Sequence, residues 1–141
     1  MNWFICKISY EKMMENGMLK KVTEPYLVDS LSFTEAEARI IEEMKPCISG
    51  EFSIADISRY KVSEVFFIQD TDKWFLCKLN FITLDERSGS EKKTPINMLV
   101  QSSSIDSANK TLVDRMRGTI ADYEIEKIAE TKIVDVFTYK A

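Results

Sequence analysis

Histidine is absent from the chain. That removes the commonest general base, the commonest metal ligand and the Ser-His and Cys-His nucleophile pairs. Glycine is scarce too. With four glycines in 141 residues there is neither a Gly-x-Gly-x-x-Gly turn nor a Walker phosphate loop. Cysteines number three, an odd count that argues against a disulfide framework and fits a reducing compartment. Apolar runs last only a few residues, so no segment reads as a membrane span. The opening residues alternate like a strand and lack a basic-then-apolar leader, which makes the cytoplasm the expected location. Positive charge is not in excess either: the net charge of −4 disfavours nucleic acid and anionic lipid, although a local basic patch stays open. An active site would have to use carboxylates, lysine, tyrosine or cysteine, and nothing clusters to demand one. The expectation is a protein that is not an enzyme and carries neither cofactor nor metal.

What the chain does have is itself, twice. Trp3-Phe4-Ile5-Cys6-Lys7-Ile8 returns 71 residues later as Trp74-Phe75-Leu76-Cys77-Lys78-Leu79, and Lys61-Val62-Ser63-Glu64-Val65-Phe66 returns as Lys132-Ile133-Val134-Asp135-Val136-Phe137. Self-similarity at a fixed distance means two copies of one supersecondary unit. Each copy opens with period-two alternation, Phe4, Cys6, Ile8 and Tyr10 facing one way and Trp3, Ile5, Lys7 and Ser9 the other, which predicts a strand with one well-buried face. Asn16-Gly17 and Ser88-Gly89-Ser90 supply hairpin turns, and returning strands follow over residues 22–28 and 94–100. Pro25 and Pro95 in those strands predict a sheet edge or a bulge.

A helix comes next, with a Thr34–Glu37 capping box in copy one and Asp106 as the matching cap in copy two. Ala36, Ile40, Ile41 and Met44 form an apolar stripe that returns as Ala108, Leu112, Val113 and Met116. Phe52, Ile54 and Ile57 match Tyr123, Ile125 and Ile128, and the three-residue step within each set predicts a bulge or bend. The expected fold is α+β: a duplicated β-β-α-β(-β) unit, antiparallel sheet or sheets with two helices on one face, and pseudo-two-fold symmetry. Residues 1–70 and 71–141 are the expected repeats of a single domain spanning 1–141, since the junction at 70–73 is too short for a flexible linker.

Three sets of residues invite a functional reading. Cys6 and Cys77 hold equivalent places, but in register with core aromatics each reads as a small buried hydrophobe. Trp3/Lys7 and Trp74/Lys78 share the opposite strand face in both copies. There an indole can stack on a ring while the ammonium meets a phosphate. Equally, the tryptophans can cover the second side of the sheet while the lysines snorkel outward. Met13, Met14 and Met18 surround the first hairpin turn and offer an adaptable contact surface, whereas the second tip, residues 85–93, is polar.

The stretch Lys21-Val22-Thr23-Glu24-Pro25-Tyr26-Leu27-Val28-Asp29-Ser30-Leu31-Ser32-Phe33-Thr34-Glu35-Ala36-Glu37-Ala38, with the opening Trp3-Phe4 strand and Val65-Phe66, resembles an uncharacterised family. It is a domain of unknown function of about this length, found in gut bacteria and their phages. The resemblance covers essentially the whole chain and implies a small intracellular protein that often travels in phage or mobile genomes. It assigns no activity to any residue. The leading expectation is a non-enzymatic binding or adaptor protein. Its partner, a protein or a small anionic ligand, would lie in the groove between the copies. The alternative is a nucleic-acid or nucleotide binder using Trp3, Lys7, Trp74 and Lys78.

Overall fold

The computed structural model describes residues 1–139. The chain runs β1 (Asn2–Met13), β2 (Leu19–Ser30), α1 (Phe33–Met44), β3 (Phe52–Arg59) and β4 (Glu64–Phe66). The series then repeats as β5 (Lys73–Leu84), β6 (Glu91–Ser102), α2 (Ile105–Met116), β7 (Asp122–Glu130) and β8 (Asp135–Phe137). This is the expected α+β duplication, with each helix packed on its own four-stranded sheet. The strand orders are β3-β1-β2-β8 and β4-β6-β5-β7.

The last strand of each repeat sits in the sheet of the other. β8 runs parallel to β2, with Val136 opposite Leu27, and β4 runs parallel to β6, with Val65 opposite Leu99. β1 is antiparallel to both β2 and β3, so a strand following β3 alongside β2 would need a parallel crossover. Such a crossover takes a dozen or more residues. Only residues 60–63 separate β3 from β4, and the strand is therefore donated elsewhere. The chain accordingly forms two compact units that do not coincide with its repeats. One is Met1–Lys61 with the stretch from Lys132 onward; the other is Val62–Thr131.

Each unit has its own core. Phe4, Cys6 and Ile8 of β1 meet Tyr26 and Val28 of β2 under Ala36, Ile40 and Met44 of α1. Phe75, Cys77 and Leu79 meet Met98 and Val100 under Ala108, Leu112 and Met116. Three positions of each expected helical stripe are thus buried, while Ile41 is half-buried and Val113 is exposed. The helix starts are not those expected. Ser32, not Thr34, is the N-cap of α1 and accepts from the Glu35 amide at 3.2 Å; Ser104, not Asp106, caps α2 and accepts from Ser107 at the same distance. Residues 32 and 104 keep the extended backbone that a cap needs, so the first turn takes in Phe33 and Ile105 as well.

The bulge lies where the broken alternation put it. Cys6 faces Ile57 but Ile8 faces Ile54, so Ala55 and Asp56 together oppose Lys7; Glu126 and Lys127 do the same opposite Lys78. The prolines obey the edge rule. The Pro25 carbonyl points away from β1 and accepts from the Val134 amide at 2.9 Å, so the missing N–H falls on the outer side as well. Asn97, two residues after Pro95, makes the equivalent bond with Ser63, which puts Pro95 on the same outer edge. By register Pro25 matches Asn97, not Pro95, because the second hairpin turn is one residue longer. Gly17 and Gly89 take positive φ in the two turns, at 80° and 69°.

Candidate functional site

The duplicated Trp-Lys motif does not form two alike surfaces. Trp74 is 1% exposed and packs edge-on against Phe67, with ring centroids 5.4 Å apart. Its indole is interior packing, unavailable for stacking on a ligand. Trp3 is partly buried. Lys78 is exposed but lies 3.5 Å from Glu126, while Glu124 beside it pairs with Lys93 at 2.9 Å and accepts from Asn80. That face of the second unit is laced with carboxylates that neutralise its ammonium groups. Lys7 has Ala55 and Asp56 opposite it and forms no ion pair within 4 Å among the described residues. Cys6 and Cys77 are fully buried and unbridged, and burial pushes their thiols up to about 12 and about 11. Such thiols are poor nucleophiles and poor metal ligands. Among the described residues, no group of three or more His, Cys, Asp or Glu side chains is placed to hold a metal. No helix among them is long and apolar enough to cross a membrane.

The methionine-bearing hairpin has a different character. β3 accompanies β1 only as far as Tyr10 opposite Phe52, and β8 accompanies β2 only along residues 26–28. Among the described residues, 11–21 are therefore a two-stranded ribbon with both edges unpaired in its own sheet. Asn16 and Gly17 close it: the Gly17 amide donates to the Met14 carbonyl at 2.9 Å and the Met18 amide to Asn16 Oδ1 at 3.0 Å. Met13, Met14, Met18 and Leu19 are 69%, 39%, 67% and 60% exposed. At the foot of the ribbon Tyr10 donates to Glu24 at 2.5 Å, a bond that raises the phenol to about 12, and Lys12 reaches Glu24 at 3.6 Å. An open cavity of about 670 Å³ lies beside this foot, between Tyr10, Leu19 and Lys21 on the hairpin and residues 49–53. Leu19 belongs to both the ribbon and the cavity, so the two features are continuous. The methionines were legible from sequence; Leu19 and the cavity were not, because they depend on where β3 stops.

A second cavity of about 570 Å³ lies between α1 and β3. Phe33, Ile41, Phe52, Ile54 and Ile57 supply its apolar lining, and Glu37 and Asp56 its charge. No sequence signal singled it out, since its two walls come from separate elements.

No curated protein and no solved structure is detectably similar to the chain. Residues 2–139 match the family model described as Domain of unknown function (DUF4494). With nearly the whole chain matched, and with a fold whose cores fill both repeats, the protein belongs to the DUF4494 family of domains of unknown function.

Proposed function

We propose that the protein is a non-enzymatic binding or adaptor protein that engages a protein partner through the β1–β2 ribbon. The observation carrying this reading is the exposure of Met13, Met14, Met18 and Leu19 on a ribbon with unpaired edges. Exposed apolar side chains gathered in one place mark an interaction surface, and methionine adapts its shape to a partner. Free edges add backbone donors and acceptors that a partner strand can pair with. The resemblance to proteins of gut bacteria and their phages, with two buried unbridged cysteines, supports a reducing, cytoplasmic setting for this role. The Trp-Lys surface gains no such support, because one of its two rings is interior.

The test is capture from the native cell, comparing the wild-type chain with a Met13→Ser, Met14→Ser, Met18→Ser variant, with mass spectrometry of what is retained. All three side chains are exposed, so the variant should keep its thermal stability within a few degrees. A protein retained by the wild type and lost by the variant supports the reading. Identical retention by both chains refutes it.

A further inference from the structure

The α1/β3 cavity differs between the two copies in a way the fold does not require. Its apolar lining is kept: Ile41, Ile54 and Ile57 correspond to Val113, Ile125 and Ile128. Its polar groups and one of its two rings are not kept. Phe33, Glu37 and Asp56 correspond to Ile105, Asn109 and Lys127, so one of two rings is lost, Phe52 persisting as Tyr123, and the two negative charges give way to that of Asp106, in the place of Thr34, beside one positive charge. The packing need is therefore met without these three residues.

In the first unit they stand around one space. Phe33 is 47% exposed, held edge-on by Phe4 at 4.8 Å between ring centroids, and so has surface left to offer. Glu37 and Asp56 approach from helix and strand, both exposed, and neither forms an ion pair within 4 Å among the described residues. Asp56 stands opposite Lys7 in register, yet its charge is felt at the Cys6 thiol on the helix-facing side of β1. An aromatic face with two carboxylates over an aliphatic floor suits a cation carrying an apolar body. The volume of about 570 Å³ is that of a small-molecule site.

We propose that the α1/β3 cavity binds a small organic ammonium ion with an apolar body, the charge placed between Glu37 and Asp56 and the body on Phe33, Ile41, Ile54 and Ile57. This site is separate from the methionine ribbon and stands or falls independently of it.

The probe is phenethylammonium, titrated into the ¹⁵N-labelled full chain, with uncharged 2-phenylethanol as its isosteric comparison. Saturable shifts should appear at the amides of Thr34, Ile41 and Ile54 with the ammonium and be at least about fivefold weaker with the alcohol, as expected for losing two partly solvated charge contacts. Glu37→Gln with Asp56→Asn should weaken the ammonium by a similar factor while the rest of the spectrum confirms an intact fold. Installing Ile105→Phe, Asn109→Glu and Lys127→Asp should bring matching shifts to α2 and β7. Equal binding of ammonium and alcohol, undiminished binding by the double variant, or absence of saturable shifts along α1 and β3 would each overturn the proposal.

Discussion

Cys6 and Cys77 show how a buried group ties packing to pH. Their thiols have no exposed surface, and the interior disfavours the thiolate, so the folded chain holds the proton to about 12 and about 11 where an unfolded chain releases it near 9.0. The stabilisation is complete below pH 9, and it is lost as the pH climbs through the folded values. Urea unfolding at pH 8, 9 and 10 should therefore show stability falling above pH 9, by up to about 1.4 kcal/mol per pH unit for each thiol. A Cys6→Ala, Cys77→Ala variant should start less stable, by roughly 1 kcal/mol per site, and fall less steeply. An equal slope in both chains would show that the thiols are not what titrates. Cys47, which is exposed, should be alkylated in the folded protein long before the other two. The burial of Cys6 and Cys77 was legible from alternation alone, whereas the unequal fates of Trp3 and Trp74 were not. Identical local patterns cannot report what Phe67, at the end of the first repeat, brings to Trp74 alone.

At the scale of elements, helix caps and exchanged strands make separate demands. Ser32 and Ser104 accept from the Glu35 and Ser107 amides in the first turn of their helices, so Ser32→Ala or Ser104→Ala should each cost about 1 kcal/mol in chemical denaturation. Thr34→Ala, already inside the helix, should cost less than half as much. β8 carries more. Phe137 stacks on Tyr26 at 6.0 Å, and Ile133 and Val136 are nearly buried. Arg39 of α1 ties the same edge together, meeting the Asp29 carboxylate at 2.9 Å and lying 5.6 Å from the Tyr139 ring, while the Tyr139 amide donates to Asp29 at 2.6 Å. Ending the chain at Thr131 should thus destabilise the unit built on β1, β2 and β3, by several kcal/mol at roughly 1.5–3 kcal/mol per large apolar side chain lost. Hydrogen exchange should quicken first at residues 26–28 and much less at residues 98–100, where β4 is still in place. The reverse order would show that each repeat completes its own sheet.

For the whole molecule, reciprocal donation means that neither repeat is a finished folding unit. A fragment ending at Thr71 carries β4 with no β6 to pair with and leaves the Leu27 edge of β2 bare; the fragment from Asp72 onward has the opposite deficit. Each alone is expected to be unfolded or self-associated by circular dichroism and ultracentrifugation. An equimolar mixture should recover the spectrum of the intact chain, and two independently folded monomers would refute this. The polar second hairpin, with Asp85 held low by the Arg87 amide and the Ser88 hydroxyl, contrasts with the methionine-bearing first. That contrast is what duplication permits once a fold is secured twice over.

The residues by themselves determined the duplication, the α+β class, the main buried positions of each helix and a bulge or bend after Ile54, and they confined both prolines to a sheet edge or a bulge. These follow from local rules: a period of two or of 3.6, and a backbone N–H that proline lacks. Tertiary structure decided which sheet receives β4 and β8. Partner choice between two near-identical edges depends on whether four residues can make a parallel crossover, a matter of distance and not of pattern. It also decided that Trp74 is interior, that the first hairpin stands clear of β3, and that Glu37 and Asp56 share a cavity. Each of those outcomes brings together side chains from separate elements, and no periodicity along the chain encodes such a meeting.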